Sequence, residues 1–178
     1  REYKVRTTDQ NYIRSVTFNN IGTKMYTTAV SGPDRIDEFD LDTNNPYNIT
    51  TSYVTASSSL GLAGSDDENS NVINPYSLRF GDSGSKMFFT QDASTTLVEL
   101  YLDTPYDISS DDSSKSKEYE LQNNSKGIIF NADGSKLFVA NSTGGEIDVY
   151  TLSTPYDISA GSISYELSKT ISDNTTEA

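Results

Sequence analysis

The side chains that could do chemistry here are carboxylates, amides, hydroxyls and a few amines. Of 178 residues, 26 are Asp or Glu and 13 are Lys or Arg, and there is no His and no Cys. Imidazole, the commonest general base and metal ligand, is therefore missing, and so is every thiolate or disulfide route. Hard-oxygen chemistry remains. Asp66, Asp67 and Glu68 stand side by side in the Ser/Gly-rich stretch 57–71. With backbone oxygens, such a run can hold Ca²⁺, the one cofactor the sequence suggests. The spacing is not that of an EF-hand loop, so the metal reading rests on residue type alone, and plain solvation competes with it. Asp111-Asp112 is a shorter version of the same signal.

A second set is polar and lies between apolar runs. It comprises Gln10, Asn11, Tyr12, Asn74, Tyr76, Gln91, Asp92, Asn123 and Asn141. Amides, a carboxylate and phenol rings suit sugar hydroxyls or the surface of another protein, and ordinary solvated loops have the same composition. Asn-x-Ser/Thr sequons at Asn48, Asn123, Asn141 and Asn174 permit glycosylation. In a chain this rich in Asn, Ser and Thr they also arise by chance.

What must position these residues is a unit written three times. Its clearest copy is 127–159: an apolar run ending at Phe130, the turn Asn131-Ala132-Asp133-Gly134, a second run from Lys136, an alternating run from Glu146 to Leu152, and the closure Thr154-Pro155-Tyr156-Asp157-Ile158-Ser159. Phe18, Gly22 and Lys24 repeat the register in the first unit, and Phe80, Gly84 and Lys86 in the second. Pro46-Tyr47-Asn48-Ile49 and Pro105-Tyr106-Asp107-Ile108 repeat the closure. The glycines suit hairpin turns that need φ > 0, and the prolines preset the later connection. A further alternating run follows each closure, at 51–56, 117–121 and 164–170, which makes four strands per unit.

The expected class is all-β, with β-propeller-type blades of four antiparallel strands in three repeats, a partial or assembly-completed propeller. The expected organisation is an edge strand and linker at 1–14, blade 1 at 15–76 with a loop insertion at 57–71, blade 2 at 77–126, and blade 3 with an exit linker at 127–178. One twisted sheet cannot bury both faces alone, so each blade needs neighbours.

Phe130-Asn-Ala-Asp-Gly-Ser-Lys-Leu-Phe-Val-Ala-Asn141 resembles the YVTN-type, lactonase-like β-propeller repeat, with looser matches at Phe18, Gly22, Lys24, Tyr26 and at Phe80, Asp82, Gly84, Lys86, Phe88. The Thr-Pro-Tyr-Asp-Ile-Ser closure is similar to repeats in surface and tail proteins of marine bacteria and phages. The resemblance implies a propeller fold and an extracellular, cell-surface or virion location. Lactonase-like members use charged and His side chains in the central site, and this chain has no His.

The net charge of −13 opposes binding to nucleic acid or anionic lipid. No apolar run approaches the roughly 20 residues of a membrane span. The chain opens on Arg1 with no leader-like segment, as expected of a processed or excised piece. These observations lead to the expectation of a non-enzymatic structural or assembly module. Its partners are copies of itself or further repeats of a longer chain. The alternative is a glycan-binding propeller that uses its polar loop face.

Overall fold

The structure is a computed structural model, and it describes residues 12–30, 34–50, 56–62, 74–141 and 144–171. These residues form three four-stranded antiparallel sheets with the strands in sequence order. The first contains β1 (Tyr12–Phe18), β2 (Lys24–Val30), β3 (Arg35–Asp40) and β4 (Ser58–Gly61). The second contains β5 (Pro75–Gly81), β6 (Lys86–Gln91), β7 (Thr96–Tyr101) and β8 (Lys117–Glu120). The third contains β9 (Ser125–Phe130), β10 (Lys136–Asn141), β11 (Glu146–Leu152) and β12 (Ile163–Thr170). Among the described residues the only helical pieces are short 3₁₀ turns in the second sheet's loops.

The first strands of the sheets lie side by side. Ser15 Oγ accepts from the Leu78 N–H at 3.1 Å, and Ser77 Oγ accepts from the Ile128 N–H at 3.2 Å. β1, β5 and β9 are thus the inner strands of three successive β-propeller blades. Apolar faces meet at two seams. Tyr26, Ile36 and Leu62 of blade 1 pack with Leu78 and Ile108 of blade 2, and Phe88, Leu97 and Leu121 of blade 2 pack with Ile128 and Ile158 of blade 3. The aromatic residues carry the same pattern. Phe80 sits between Tyr26 and Tyr106, and Phe130 between Phe88 and Tyr156.

The hairpin glycines have a second reason beyond their turn. Gly134 has φ +72°, and a Cβ there would lie 2.2 Å from the Tyr156 ring. The Tyr156 N–H donates to the Gly134 carbonyl at 3.0 Å. Tyr47 on Gly22 and Tyr106 on Gly84 repeat both contacts. The Pro-Tyr closure is therefore seated on its own blade's first turn, which explains why the two motifs recur together.

One element differs from the sequence expectation. The outer strand of blade 1 is β4, inside the stretch 57–71 expected as a loop insertion. β4 pairs Arg35 with Gly61 and Ile36 with Leu60, and Leu60 packs on the first seam. A strand of four residues with one apolar contact leaves little alternation to read. Of the expected run at 51–56 only Ala56 is described, residues 1–11 of the expected edge strand and linker at 1–14 lie outside the described residues, and β1 begins at Tyr12, before the expected blade boundary at 15.

Candidate functional site

The inner strands begin on one end of the blade stack, and charged side chains from all three blades converge there. Arg14 comes from β1, Tyr76 from β5, Lys126 from β9, and Asp92 from the turn between β6 and β7. Lys126 Nζ lies 2.6 Å and Arg14 Nη1 3.5 Å from the Asp92 carboxylate. Both cations also lie over the Tyr76 ring, Lys126 Nζ at 4.6 Å and the Arg14 guanidinium carbon at 5.3 Å from its centroid.

Local structure explains why Asp92 points there. Its N–H donates to the Asn74 carbonyl at 2.9 Å, which ties the β6–β7 turn to the entrance of β5. Its side chain accepts from the Ala93 N–H. The hydrogen bond from Lys126, with the added field of Arg14, holds the Asp92 carboxyl below the usual carboxylate range against a smaller opposing effect of burial. The cluster carries two positive charges and one negative in a chain of net charge −13. All three charged side chains keep part of their surface in water, so a small ligand can reach them. Two cations beside an aromatic face suit a carboxylate, a phosphate or a polarised carbonyl oxygen.

Of the residues singled out in the sequence, the structure brings Tyr76 and Asp92 together here. Tyr12 begins β1 and is exposed, and Gln91 ends β6 opposite Pro75. Asn74 contributes backbone: its N–H donates to Asp34 Oδ2 at 2.9 Å. Asn123 and Asn141 face inward. Both amides donate to the buried Asp148 carboxylate, at 3.1 and 3.0 Å, and Ser168 Oγ donates to it as well. Asn123 thereby fastens the β8–β9 loop to blade 3, and Asn141 ties the end of β10 to β11. Asn141 is buried, which leaves its amide little room for a glycan, and Asn48 Oδ1 accepts from the Thr50 N–H. Gln10, Asn11, Asp66, Asp67, Glu68 and Asn174 lie outside the described residues.

Sequence reasoning missed Arg14 and Lys126. The available signal was a cation at the entry of an inner strand in a chain short of cations. No group of three or more potential metal-ligating side chains occurs among the described residues. Asp112 instead caps a short 3₁₀ turn by accepting from the Ser114 N–H, and it pairs with Lys115 at 2.8 Å. A cleft of about 360 Å³ lies between β4 and blade 2, lined by Leu60, Leu62, Phe89 and Val98 and by the polar Gln91, Asp111, Lys117 and Glu118.

No family model and no curated protein matches this sequence. Solved structures do resemble the fold. The periplasmic gluconolactonase of Pseudomonas aeruginosa matches at 14% identity and TM-score 0.58, over 88% of this chain and 39% of its own length. A protein of Bacteroides fragilis assigned as a 6-phosphogluconolactonase matches at 13% identity and TM-score 0.58, over 96% of this chain and 46% of its own. A β-propeller domain from Myceliophteria thermophila matches at 11% identity and TM-score 0.54, over 90% and 44%. The chain thus spans less than half the length of these propellers, and at such identity the likeness shows the fold alone. The expectation of a non-enzymatic structural or assembly module, with its glycan-binding alternative, is corrected by these neighbours. Propellers of this build include proteins named as lactonases, and no assembly role is shown.

Proposed function

We propose that the mouth formed by Arg14, Tyr76, Asp92 and Lys126 is a small-molecule site for a polyhydroxylated acid or its lactone, and that lactone ring opening is the reaction it serves. The observation that carries this reading is the convergence of two cations, a carboxylate and an aromatic face from three blades on the end where the inner strands begin. The names of the lactonases that share the fold support it.

In this reading the substrate carbonyl oxygen lies against Arg14 and Lys126, and Tyr76 carries the sugar ring. A water oxygen bonds to the carbonyl carbon, and negative charge gathers on the carbonyl oxygen, where the cations stabilise it. Asp92 accepts the water proton and returns it to the ring oxygen as the ring C–O bond breaks, leaving a carboxylic acid and a hydroxyl. The reading includes YVTN-type membership and work outside the cell, at a surface or on a virion, which the Asn-Ala-Asp-Gly hairpin and the acidic composition support.

The test is proton release from glucono-lactone at constant pH, with calorimetry on gluconate. The expected result is opening faster than the spontaneous rate and a heat of gluconate binding, both reduced in Lys126→Ala and Arg14→Ala. Neither heat nor acceleration at millimolar ligand would refute the site. A second reading, binding without turnover, is favoured by the lowered pKa of Asp92, which makes it a weak base near neutrality. Gluconate heat with no acceleration would select it.

A further inference from the structure

The two internal seams are filled differently where the outer strand of one blade meets the next blade. At the second seam Tyr119 of β8 meets Tyr150 of β11, and Tyr150 meets Tyr165 of β12, with ring centroids 6.0 and 5.6 Å apart. Ile163, opposite Leu152, is buried in the same cluster. The strand registers give the counterparts at the first seam. Leu60 stands where Tyr119 stands, Leu100 where Tyr150 stands, and Asp111, bridged to Leu102, where Ile163 stands. Continuing the β7–β8 register places Ser116 opposite Leu100, as Tyr165 is opposite Tyr150. Three phenol rings and an Ile are thus replaced by two Leu, a Ser and an Asp. Phe89, in place of Val139, goes the other way and sets a ring in the wall. These replacements leave the cleft of about 360 Å³ between β4 and blade 2.

The polar side of the cleft is short of donors. Asp111 and Ser116 both line it, and Asp111 Oδ1 and Ser116 Oγ are buried and bond to no group among the described residues. A buried carboxylate oxygen and a buried hydroxyl without partners are costly to keep. Burial, then the charge of Asp112, pushes the Asp111 carboxyl above its usual range. Glu118 adds a second carboxylate to the lining. The nearby cations are engaged elsewhere. Lys117 Nζ lies 2.6 Å from Asp157, and Lys115 Nζ lies 2.8 Å from Asp112 and 3.0 Å from Asp103. The cleft therefore joins an apolar wall that includes an aromatic ring to an acidic edge that lacks a donor. Its volume is at the small end of the range for ligand sites, about 300–1,000 Å³, which suits one ring on a short chain.

We infer that this cleft binds a small arylalkylamine, its ring against Leu60, Leu62 and Phe89 and its ammonium donating to Asp111 and Ser116. The ring takes the place that phenol rings hold at the second seam. An ammonium carries three donors, enough for a carboxylate and a hydroxyl together, and its charge strengthens the bond to the carboxylate. An anion would meet Asp111 and Glu118 with no free cation beside them. The mouth, with two cations, takes the opposite charge, so the two sites do not compete for one ligand.

Calorimetry of the 178-residue chain with 2-phenylethylamine, 2-phenylethanol and butylamine tests this. The amine should bind one site with a Kd of about 1 mM or tighter. It should bind about tenfold or more tighter than the alcohol, which lacks the charge, and than butylamine, which lacks the ring. Methyl resonances of Leu60, Leu62 and Val98 should shift during the titration, and those of Ile128 and Val139 at the second seam should not. Asp111→Asn should weaken the amine about tenfold and leave the alcohol unchanged. Leu60→Tyr, which gives the first seam the ring of the second, should abolish binding of both. Each variant should keep the wild-type circular dichroism spectrum, and Asp111→Asn alone decides if Leu60→Tyr does not fold. No heat from the amine at millimolar concentration, as when another part of the chain fills the cleft, would overturn the inference. So would equal affinity for amine and alcohol, or amine binding that Asp111→Asn leaves unchanged, as for attraction to the acidic surface at large.

Discussion

Replacing Glu99 by Ala should loosen the third blade from the second before it disturbs the first. Glu99 is buried at the second seam. Its carboxylate lies 3.2 Å from Lys86 Nζ and 3.8 Å from Lys117 Nζ and accepts from the Ile158 N–H at 3.2 Å. Truncation leaves Lys86 largely buried with only the Tyr156 carbonyl, at 2.7 Å, to share its charge, and leaves the Ile158 N–H without its acceptor. Removing one partner of a buried ion pair costs about 3–5 kcal/mol, and an orphaned buried donor about 1–3 kcal/mol. The two overlap, because the same side chain serves both, and Lys86 keeps one acceptor. A loss of about 3–4 kcal/mol is expected, a large share of the ~5–15 kcal/mol typical of a folded domain. With a urea slope of about 2 kcal/mol/M, the midpoint should fall by about 1.5–2 M. Glu99→Gln keeps an acceptor for Ile158 and should cost about 1–2 kcal/mol. Lys86→Met with Glu99→Leu removes the stranded charge and should recover about half of the Ala loss. Hydrogen exchange should show amides of 125–170 losing protection ahead of those in β2 and β3. A loss under about 1 kcal/mol for Glu99→Ala, or uniform loss of protection, would refute the view that the seams are held by this clasp.

Gly134→Ala should cost about 2–4 kcal/mol in urea unfolding, because the new Cβ meets the Tyr156 ring at a positive φ. Gly145→Ala, at φ +67° with nothing within 4 Å, should cost only about 1 kcal/mol and so separates conformation from contact. Burial, then the charge of Asp112, pushes the Asp111 carboxyl above its usual range. A folded pKa above the unfolded one gives stability that is full below the unfolded value and is lost as pH rises through the folded one. Asp111→Asn should therefore raise Tm near neutrality and confer less advantage below about pH 4, whereas an equal gain at both would refute the assignment.

The repeat was legible because its punctuation is. Phe, Gly and Lys at fixed spacing place the hairpins, and Glu146–Leu152 begins and ends where the alternation does. β4 was not legible, because four Ser, Leu and Gly residues carry almost no period. The mouth was half legible. Tyr76 and Asp92 stand out as polar residues between apolar runs, whereas Arg14 and Lys126 read as ordinary surface cations until the fold brings three inner strands to one end. Asn123 and Asn141 misled for the converse reason. An amide in a loop looks solvent-directed in sequence, and only the buried carboxylate of Asp148 reveals that it turns inward.

The Tyr-Asp-Ile segment shows why the closure recurs with the hairpin. In blade 3 the Tyr156 ring sits on the blade's own Gly134, while the Ile158 N–H reaches back to Glu99 of the blade before. Blade 2 repeats this with Tyr106 on Gly84 and the Ile108 N–H on Glu38, which also pairs with Lys24. Asp157 lies beside Lys117 and, despite a large opposing effect of burial, its bonds from Lys117, Ser159 and Ser162 hold its carboxyl well below the usual range. One short connection thus fixes a turn within its blade and a seam between blades. A change in it has to be matched on the preceding sheet as well as its own, so neighbouring blades must change as pairs.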